Sequence, residues 1–318
     1  MSKIEKVTVL GAGVLGAQIA WHTAYKGKNV VVYDILAEAL ERCRSAHEQY
    51  AEIYGKDVGA SAAEIAATRS RLRYSADLAD AVEKADLVIE AVPEVPAIKT
   101  DVYQKMAPLL QPHTLIATNS STLLARDFAA ATGRPDKYCA MHYANLIWIM
   151  NVIEIMAHPQ TSRETLREAT GFAIETGMVP IPVLKEQNGY VLNTWFVPLI
   201  TAAQTLVTNG ISTPEDVDRT YLKVNAGASM GPMALIDMVG MKTFFDVLSY
   251  WGHANRDQQM LDNAAYVKAH FLDKGLLGTG TGEGYYKYPD PAFRQKDFLA
   301  VPDLSKVDDI VAQMMPIV

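Results

Sequence analysis

Three glycines, spaced Gly11-x-Gly13-x-x-Gly16, stand between an apolar run from Val7 to Leu10 and a helix-like stretch, "AQIAWHTAYK", at residues 17 to 26. No other feature restricts the fold of this chain as much. A short apolar run ending in glycine reads as a buried parallel strand. The helix stops at Gly27, and "NVVVYD" at 29 to 34 reads as a second buried strand. A strand, a glycine turn, a helix and a strand therefore follow one another between residues 7 and 34. Strands and helices that alternate in this way build a parallel sheet covered on both faces.

The glycines have a physical reason. A helix N-terminus carries unpaired N–H groups and a partial positive charge, and a phosphate suits both. Gly11 permits the tight turn, Gly13 lets a pyrophosphate approach, and Gly16 lets helix and strand pack closely. Val14 and Leu15 fall at the helix start. Asp34 ends the second strand, where an acid accepts both ribose hydroxyls of NAD and repels the extra phosphate of NADP. The expectation is a Rossmann-type doubly wound, mostly parallel α/β sheet that binds NAD. FAD uses the same fingerprint, and a purely structural glycine turn is the plainer alternative.

The remaining strands are expected at 85 to 92, 114 to 120, 138 to 143, 151 to 156 and 179 to 185, with helices at 98 to 110 and 162 to 175. Residues 36 to 72 read as two helices broken near Gly55 to Gly59. After Lys185 the pattern becomes helical: 189 to 210, 213 to 222 capped by Thr213 with Pro214 behind it, 232 to 251, and 260 to 275. We therefore expect a dinucleotide-binding domain over 1–187 and an all-helical domain over 188–318. A length of 318 residues suits two domains.

The composition excludes several classes. A net charge of −7 argues against non-specific binding to nucleic acid or membrane surfaces. Two cysteines, Cys43 and Cys139, make no disulfide framework and suit no metal site. The first ten residues lack the apolar stretch of a secretory signal, and no apolar run reaches the roughly 20 residues of a membrane span. A cytoplasmic location is the default expectation.

The chemistry-bearing residues cluster after strand ends. His142 sits just past an apolar strand, and Glu154 lies between Ile153 and Ile155. A carboxylate among isoleucines is costly to bury unless something pairs with it. Together they would form an imidazole oriented by a carboxylate, suited to take a proton from a hydroxyl. The alternative is a solvent-facing Glu154 and an ordinary strand-end histidine. Ser120, Ser121 and Thr122 in "TNSST" end another strand, where ligands of open α/β sheets bind, although serine also caps helices. Glu94 and Lys99 follow a strand at the same edge, or form a solvated loop. Asn193 in an apolar helix wants partners, from a ligand or from another helix.

Taken in order, "VLGAGVLGAQIA", "VIEAVPEVPAIK", "TNSST", "MHYANLIWIMNVIEIM", "GYVLNTWFVPLI", "NAGASMGPMALIDMVG" and "LGTGTGEGYYKY" resemble the L-3-hydroxyacyl-CoA dehydrogenase family. The resemblance implies that His142 is the general base and that Glu154 orients it. It further implies that Ser121 and Asn193 touch the substrate oxygen, and that Glu94 and Lys99 lie beside the nicotinamide ribose. Asn119 and Asn145 also match family positions, on the cofactor and substrate sides. The implied activity is NAD-dependent oxidation of a 3-hydroxyacyl-CoA, such as 3-hydroxybutyryl-CoA, in fatty acid metabolism, by a homodimer.

The chain also departs from the family. Ala144, Leu146 and Trp148 replace an aromatic residue and two prolines in the loop after His142. The helical pair expected to meet CoA, residues 40 to 73, carries Arg42, Arg44, Lys56, Arg69, Arg71 and Arg73 but also five acids. The tail beyond "YYKY" resembles the lambda-crystallin and L-gulonate 3-dehydrogenase branch, which acts on free hydroxy acids. A free 3-hydroxy acid or a diketone reduced in reverse are therefore alternative substrates. A non-catalytic dinucleotide-binding protein is the alternative of a different class.

Overall fold

The computed structural model describes the chain except residues 1, 213, 226, 229, 231 and 315–318. Side chains at 200, 201, 204, 205, 207, 208, 214, 215, 218, 219, 222, 235, 247, 250, 251 and 254 are also outside it. The expected Thr213 cap lies outside the described residues. The chain divides into two compact units, Met1–Ala202 with Val301–Val318, and Ala203–Ala300.

The first unit begins as the glycine pattern requires: β1 (Lys6–Leu10), α1 (Val14–Tyr25) and β2 (Asn29–Tyr33). Helices α2 (Ala37–Ile53) and α3 (Ala62–Ser70) follow, separated by a π-helical turn at Tyr54–Val58. Ser61 and Glu64 form a reciprocal capping box that starts α3. Then come β3 (Leu72–Ser75), α4 (Leu78–Val82), β4 (Leu87–Glu90), α5 (Pro96–Met106), β5 (Leu115–Thr118) and β6 (Tyr138–Tyr143). β7 (Val152–Met156), α6 (Arg163–Glu175) and β8 (Val179–Val183) complete the sheet. The helical reading of residues 36 to 72 missed β3. Its half-buried "LRYS" has neither an apolar run nor a clear alternation, and only pairing with β2 makes it a strand.

The eight strands lie in the order β3-β2-β1-β4-β5-β6-β7-β8. Every pairing is parallel except β6 with β7. One face buries Val9, Ile19, Trp21, Ile155 and Phe172, and the other buries Leu10, Val88, Tyr103, Ile116 and Tyr138. Burial on both faces is why these strands read as continuous apolar runs. Near the chain's end, α12 (Val307–Met314) adds Val307, Val311 and Met314 to the first of these cores. Asp308 on α12 takes both its oxygens to Arg167 on α6, at 2.6 and 2.8 Å.

Helix α7 (Leu192–Thr208) starts in the first unit. The second unit contains α8 (Pro214–Val224), α9 (Pro232–Val239), α10 (Met241–Asn255) and α11 (Gln258–His270). The expected single helix over 232 to 251 is broken at Gly240, which has φ +93°. Met241, Leu248, Ala264, Val267 and Phe271 make the core of this unit. Asp237, fully buried, accepts hydrogen bonds from the Tyr285 and Tyr286 amides at 2.8 and 2.9 Å and from the Tyr288 hydroxyl at 3.0 Å. Gly278 and Gly284 are required there, since a Cβ would lie 2.2 Å from the Asp237 carbonyl or carboxylate oxygen.

Candidate active site

The antiparallel register of β6 and β7 sets His142 directly opposite Glu154. Such cross-strand neighbours have their side chains within reach on one face. His142 is 4% exposed and Glu154 1%. The imidazole Nδ1 lies 2.8 Å from Glu154 Oε2. The other carboxylate oxygen, Oε1, accepts the Val191 and Leu192 amides at 2.9 and 2.8 Å. These are unpaired N–H groups at the start of α7, so Glu154 caps that helix while holding the histidine. A carboxylate only accepts, which assigns a proton to His142 Nδ1, so in the neutral ring the lone pair lies on Nε2. That nitrogen faces Ser121 Oγ at 3.2 Å. The solvent-facing alternative for Glu154 is thereby excluded.

The other expected residues take several positions. Asn193, in the first turn of α7, is half-buried, and its side chain has no hydrogen bond among the described residues. Asn145 is exposed and likewise without one. Asn119 Oδ1 accepts the Tyr143 amide at 2.9 Å, which ties the end of β5 to β6 beside His142. Leu146, in the loop where the two expected prolines are missing, has φ +58° and donates its amide to Gln18 Oε1 on α1 at 2.8 Å. Trp148 packs against Tyr50 and Tyr54 of the α2 segment, with ring centroids 5.7 and 6.0 Å apart.

Glu94 and Lys99 belong to one buried network. Glu90, at the end of β4, is fully buried and accepts from Lys99 Nζ at 2.7 Å, Tyr103 at 2.7 Å, Thr118 at 2.8 Å and the Val92 amide at 2.9 Å. Lys99, itself 1% exposed, also reaches Glu94 at 3.3 Å. Glu94 accepts from Ser120 Oγ at 2.5 Å and from the Thr122 amide at 2.8 Å. Burial works against the Glu94 carboxylate, but the bonds from Ser120 and Thr122 and the charge of Lys99 outweigh it. They bring Glu94 down to about 2. Sequence reasoning overlooked Glu90, although it carries the signal that found Glu154, a carboxylate inside an apolar strand.

The glycine corner fits a dinucleotide. Gly11 has φ +104°, and a Cβ there would lie 2.4 Å from the Ala91 carbonyl oxygen. A Cβ on Gly16 would lie 2.0 Å from the Gly11 oxygen. Both glycines are therefore forced by the protein's own packing. Gly13 meets nothing within 4 Å, so packing within the chain does not require it and the corner is open there. Helix α1 opens at Val14 and Leu15 with no side-chain cap and no acid in its first turn, which leaves its amides to an anion. Asp34 Oδ2 accepts the Ala12 amide at 2.9 Å and Oδ1 the Leu36 amide at 2.9 Å, which holds the corner in shape.

A mostly parallel sheet with a phosphate-binding corner, and a carboxylate-held imidazole at its strand ends, defines an NAD-dependent oxidoreductase acting on a CH–OH group. The model for the 3-hydroxyacyl-CoA dehydrogenase NAD-binding domain matches residues 6–187, and that for the family's C-terminal domain matches 189–288. The chain belongs to the 3-hydroxyacyl-CoA dehydrogenase family. A probable 3-hydroxybutyryl-CoA dehydrogenase of Deinococcus radiodurans is 31% identical over 284 residues, 89% of this chain and 100% of that protein. A 5-formyl-3-hydroxy-2-methylpyridine 4-carboxylate 5-dehydrogenase of Mesorhizobium japonicum is 32% identical, over 90% of this chain and 91% of that one. A solved diketoreductase, described in dual catalysis of dicarbonyl compounds, is 45% identical. It matches with a TM-score of 0.66 over 91% of this chain and 100% of its own. Among the described residues, no helix is long and apolar enough to cross a membrane.

Proposed function

We propose that this enzyme interconverts a 3-hydroxy compound and its 3-oxo partner, with His142 as the proton acceptor for the hydroxyl. The observation that carries this reading is the arrangement of His142: Nδ1 held by Glu154, and Nε2 facing the half-buried Ser121 Oγ at 3.2 Å. NAD would supply the hydride acceptor, and the first-turn amides at Val14 and Leu15, the open face of Gly13 and the carboxylate of Asp34 would hold it. His142 Nε2 takes the hydroxyl proton, and Glu154 balances the imidazolium that results. Ser121 and Asn193 orient the substrate oxygen, with Asn145 at the edge of the substrate side. Glu94, presented by Ser120, Thr122 and buried Lys99, lines the cofactor side with Asn119. Residues 1–187 form the cofactor half, to which α12 of the expected 188–318 domain returns, and the helices before it the substrate and dimerisation half.

For the substrate, we infer a 3-hydroxyacyl-CoA from the family as a whole. A specific pair of observations favours a second reading, a CoA-free 3-hydroxy acid or dicarbonyl. The diketoreductase shares 45% identity. Arg69, Arg73 and Arg44 are already engaged, by Glu48 at 2.6 Å, by Asp80 at 2.5 Å and by Glu41 at 3.4 Å. Steady-state kinetics on acetoacetyl-CoA, acetoacetate esters and 1,3-diketones, with NADH and with NADPH, tests both. A kcat/KM preference for the thioester above about tenfold, roughly 1.4 kcal/mol, carries the CoA reading, and the reverse preference retires it. Turnover of no 3-oxo compound would return the protein to the non-catalytic class. A homodimer is part of the same reading, and sedimentation velocity measures it.

A further inference from the structure

We propose that Tyr190 is a positioning residue for the His142 imidazole, acting through the face of its ring. The proposal rests on His142 being the base. The Tyr190 and His142 rings are stacked, with centroids 4.6 Å apart and planes 11° from parallel. Among the described ring pairs this is the flattest. The hydrogen bond to Glu154 fixes the imidazole at one point of its edge. It does not stop the ring plane from rolling about the Nδ1–H···O line. A flat neighbour on the ring face does, and it aims Nε2 in one direction.

The backbone at Tyr190 is built around this placement. Tyr190 has φ +54° and follows Gly189 at φ +79°. A bulky residue in the left-handed region is strained and rare. The turn gains two things at once. Its next two amides, of Val191 and Leu192, point at Glu154 Oε1. Its own ring lies on His142. One short turn therefore holds both members of the pair, the carboxylate by its amides and the imidazole by its face. The turn is braced by the Tyr190 amide donating to the Gln187 carbonyl at 3.2 Å and by the Asn193 amide donating to the Gly189 carbonyl at 2.9 Å. The Thr194 hydroxyl donates to the Tyr190 carbonyl.

The ring, and not the hydroxyl, does this work. The Tyr190 Oη is buried and has no hydrogen-bond partner among the described residues. The side chain is 1% exposed and shares an apolar cluster with Tyr138, Met156 and Val183. A residue kept only for its hydroxyl would have that group paired.

The test compares Tyr190→Phe and Tyr190→Leu with the parent enzyme. Phenylalanine keeps the plane and drops the idle hydroxyl, so kcat stays within about twofold. Leucine fills much of the space without a plane, so kcat falls at least about tenfold, within the range that misplacement of a reacting group costs. KM and the NADH Kd stay within about twofold in both, because neither ligand loses a contact. A second readout is the proton NMR signal of the His142 ring, assigned by its absence in His142→Gln. The stacked phenol shifts that signal upfield in the parent and in Tyr190→Phe, and the shift disappears in Tyr190→Leu. If leucine prevents folding, Tyr190→Met replaces it in both measurements. Wild-type kcat in the leucine or methionine variant overturns the proposal. So does an equal loss of kcat in Tyr190→Phe, which would assign the role to the hydroxyl. Full turnover by His142→Gln would instead sink the base assignment, and the NMR shift would then decide on the stack independently.

Discussion

Three of the four buried histidines among the described residues differ in what each ring nitrogen meets. His22 donates from Nε2 to the Thr176 carbonyl at 2.8 Å and accepts at Nδ1 from Tyr54 at 2.7 Å. His47 donates to the Ala17 carbonyl at 3.0 Å and accepts from Tyr74 at 2.6 Å. A carbonyl can only accept, so Nε2 of each ring carries a proton, and burial, which lowers both rings to about 4, keeps them neutral near pH 7 with both nitrogens used. His142 differs in having a carboxylate at one nitrogen and a half-buried serine hydroxyl at the other, and it is the one suited to proton transfer. Replacing His142 with glutamine should lower kcat by about 10³-fold, the usual worth of a general base, and leave NADH affinity unchanged in a fluorescence titration. Asp34 makes a second prediction at this scale. Asp34→Ser keeps an acceptor for the Ala12 amide and removes the charge that repels a 2′-phosphate. The NAD to NADP ratio of kcat/KM should fall by about tenfold or more, about 1.4 kcal/mol. An unchanged ratio would show that another group discriminates between the cofactors.

The antiparallel β6–β7 pair is the element on which the site depends. Its register opposes His142 and Glu154, and a slip of one residue would send every side chain of one strand to the other face. The loop between these strands lacks its expected prolines, and other contacts hold it. Ile147 is fully buried, Trp148 packs on Tyr50 and Tyr54, and the Leu146 amide is tied to Gln18. In the second unit the comparable element is the turn gathered by Asp237. Asp237→Ala would leave two backbone amides and a tyrosine hydroxyl without their acceptor. A loss of about 3 kcal/mol is expected, since each buried donor left unpaired costs about 1–3 kcal/mol. Hydrogen exchange should show faster exchange at Tyr285 and Tyr286, and unchanged protection there would contradict the assigned role.

For the whole molecule, the buried neutral histidines set an acid limit on stability. Burial pushes His22 and His47 from 6.5 down to about 4, against the opposing effect of their carbonyl partners. Burial moves His158 in the same direction. Above pH about 6.5 these groups are neutral in both the folded and unfolded chain and contribute no slope. Between about 6.5 and 4 the unfolded chain binds protons at His22 and His47 that the folded chain does not, so stability falls as pH falls, by up to about 1.4 kcal/mol per pH unit for each of the two. Below about 4 both states are protonated and this contribution levels off. Chemical denaturation across that window measures the slope. A His22→Asn, His47→Asn double variant that retained the full slope would disprove the account. The tail acts at this scale as well, because Val311 of α12 is fully buried in the same core as Phe172 of α6.

The amino-acid order alone pointed to the glycine corner, to most of the alternation of strands and helices, and to His142 and Glu154 as candidates, which the β6–β7 register then paired. Each of these is written in neighbouring residues: glycines that a Cβ would block, apolar runs bounded by glycine, and a charge flanked by isoleucines. Tertiary structure decided what distant segments do to one another. The strand β3 exists only because β2 offers it hydrogen bonds, and α12 finds its place only against α6. Lys99 became an internal brace between Glu90 and Glu94, and Tyr190 came to lie on His142 across 48 residues of chain. Contacts of this kind depend on the register and closure of the sheet, and no local pattern of residue types encodes them.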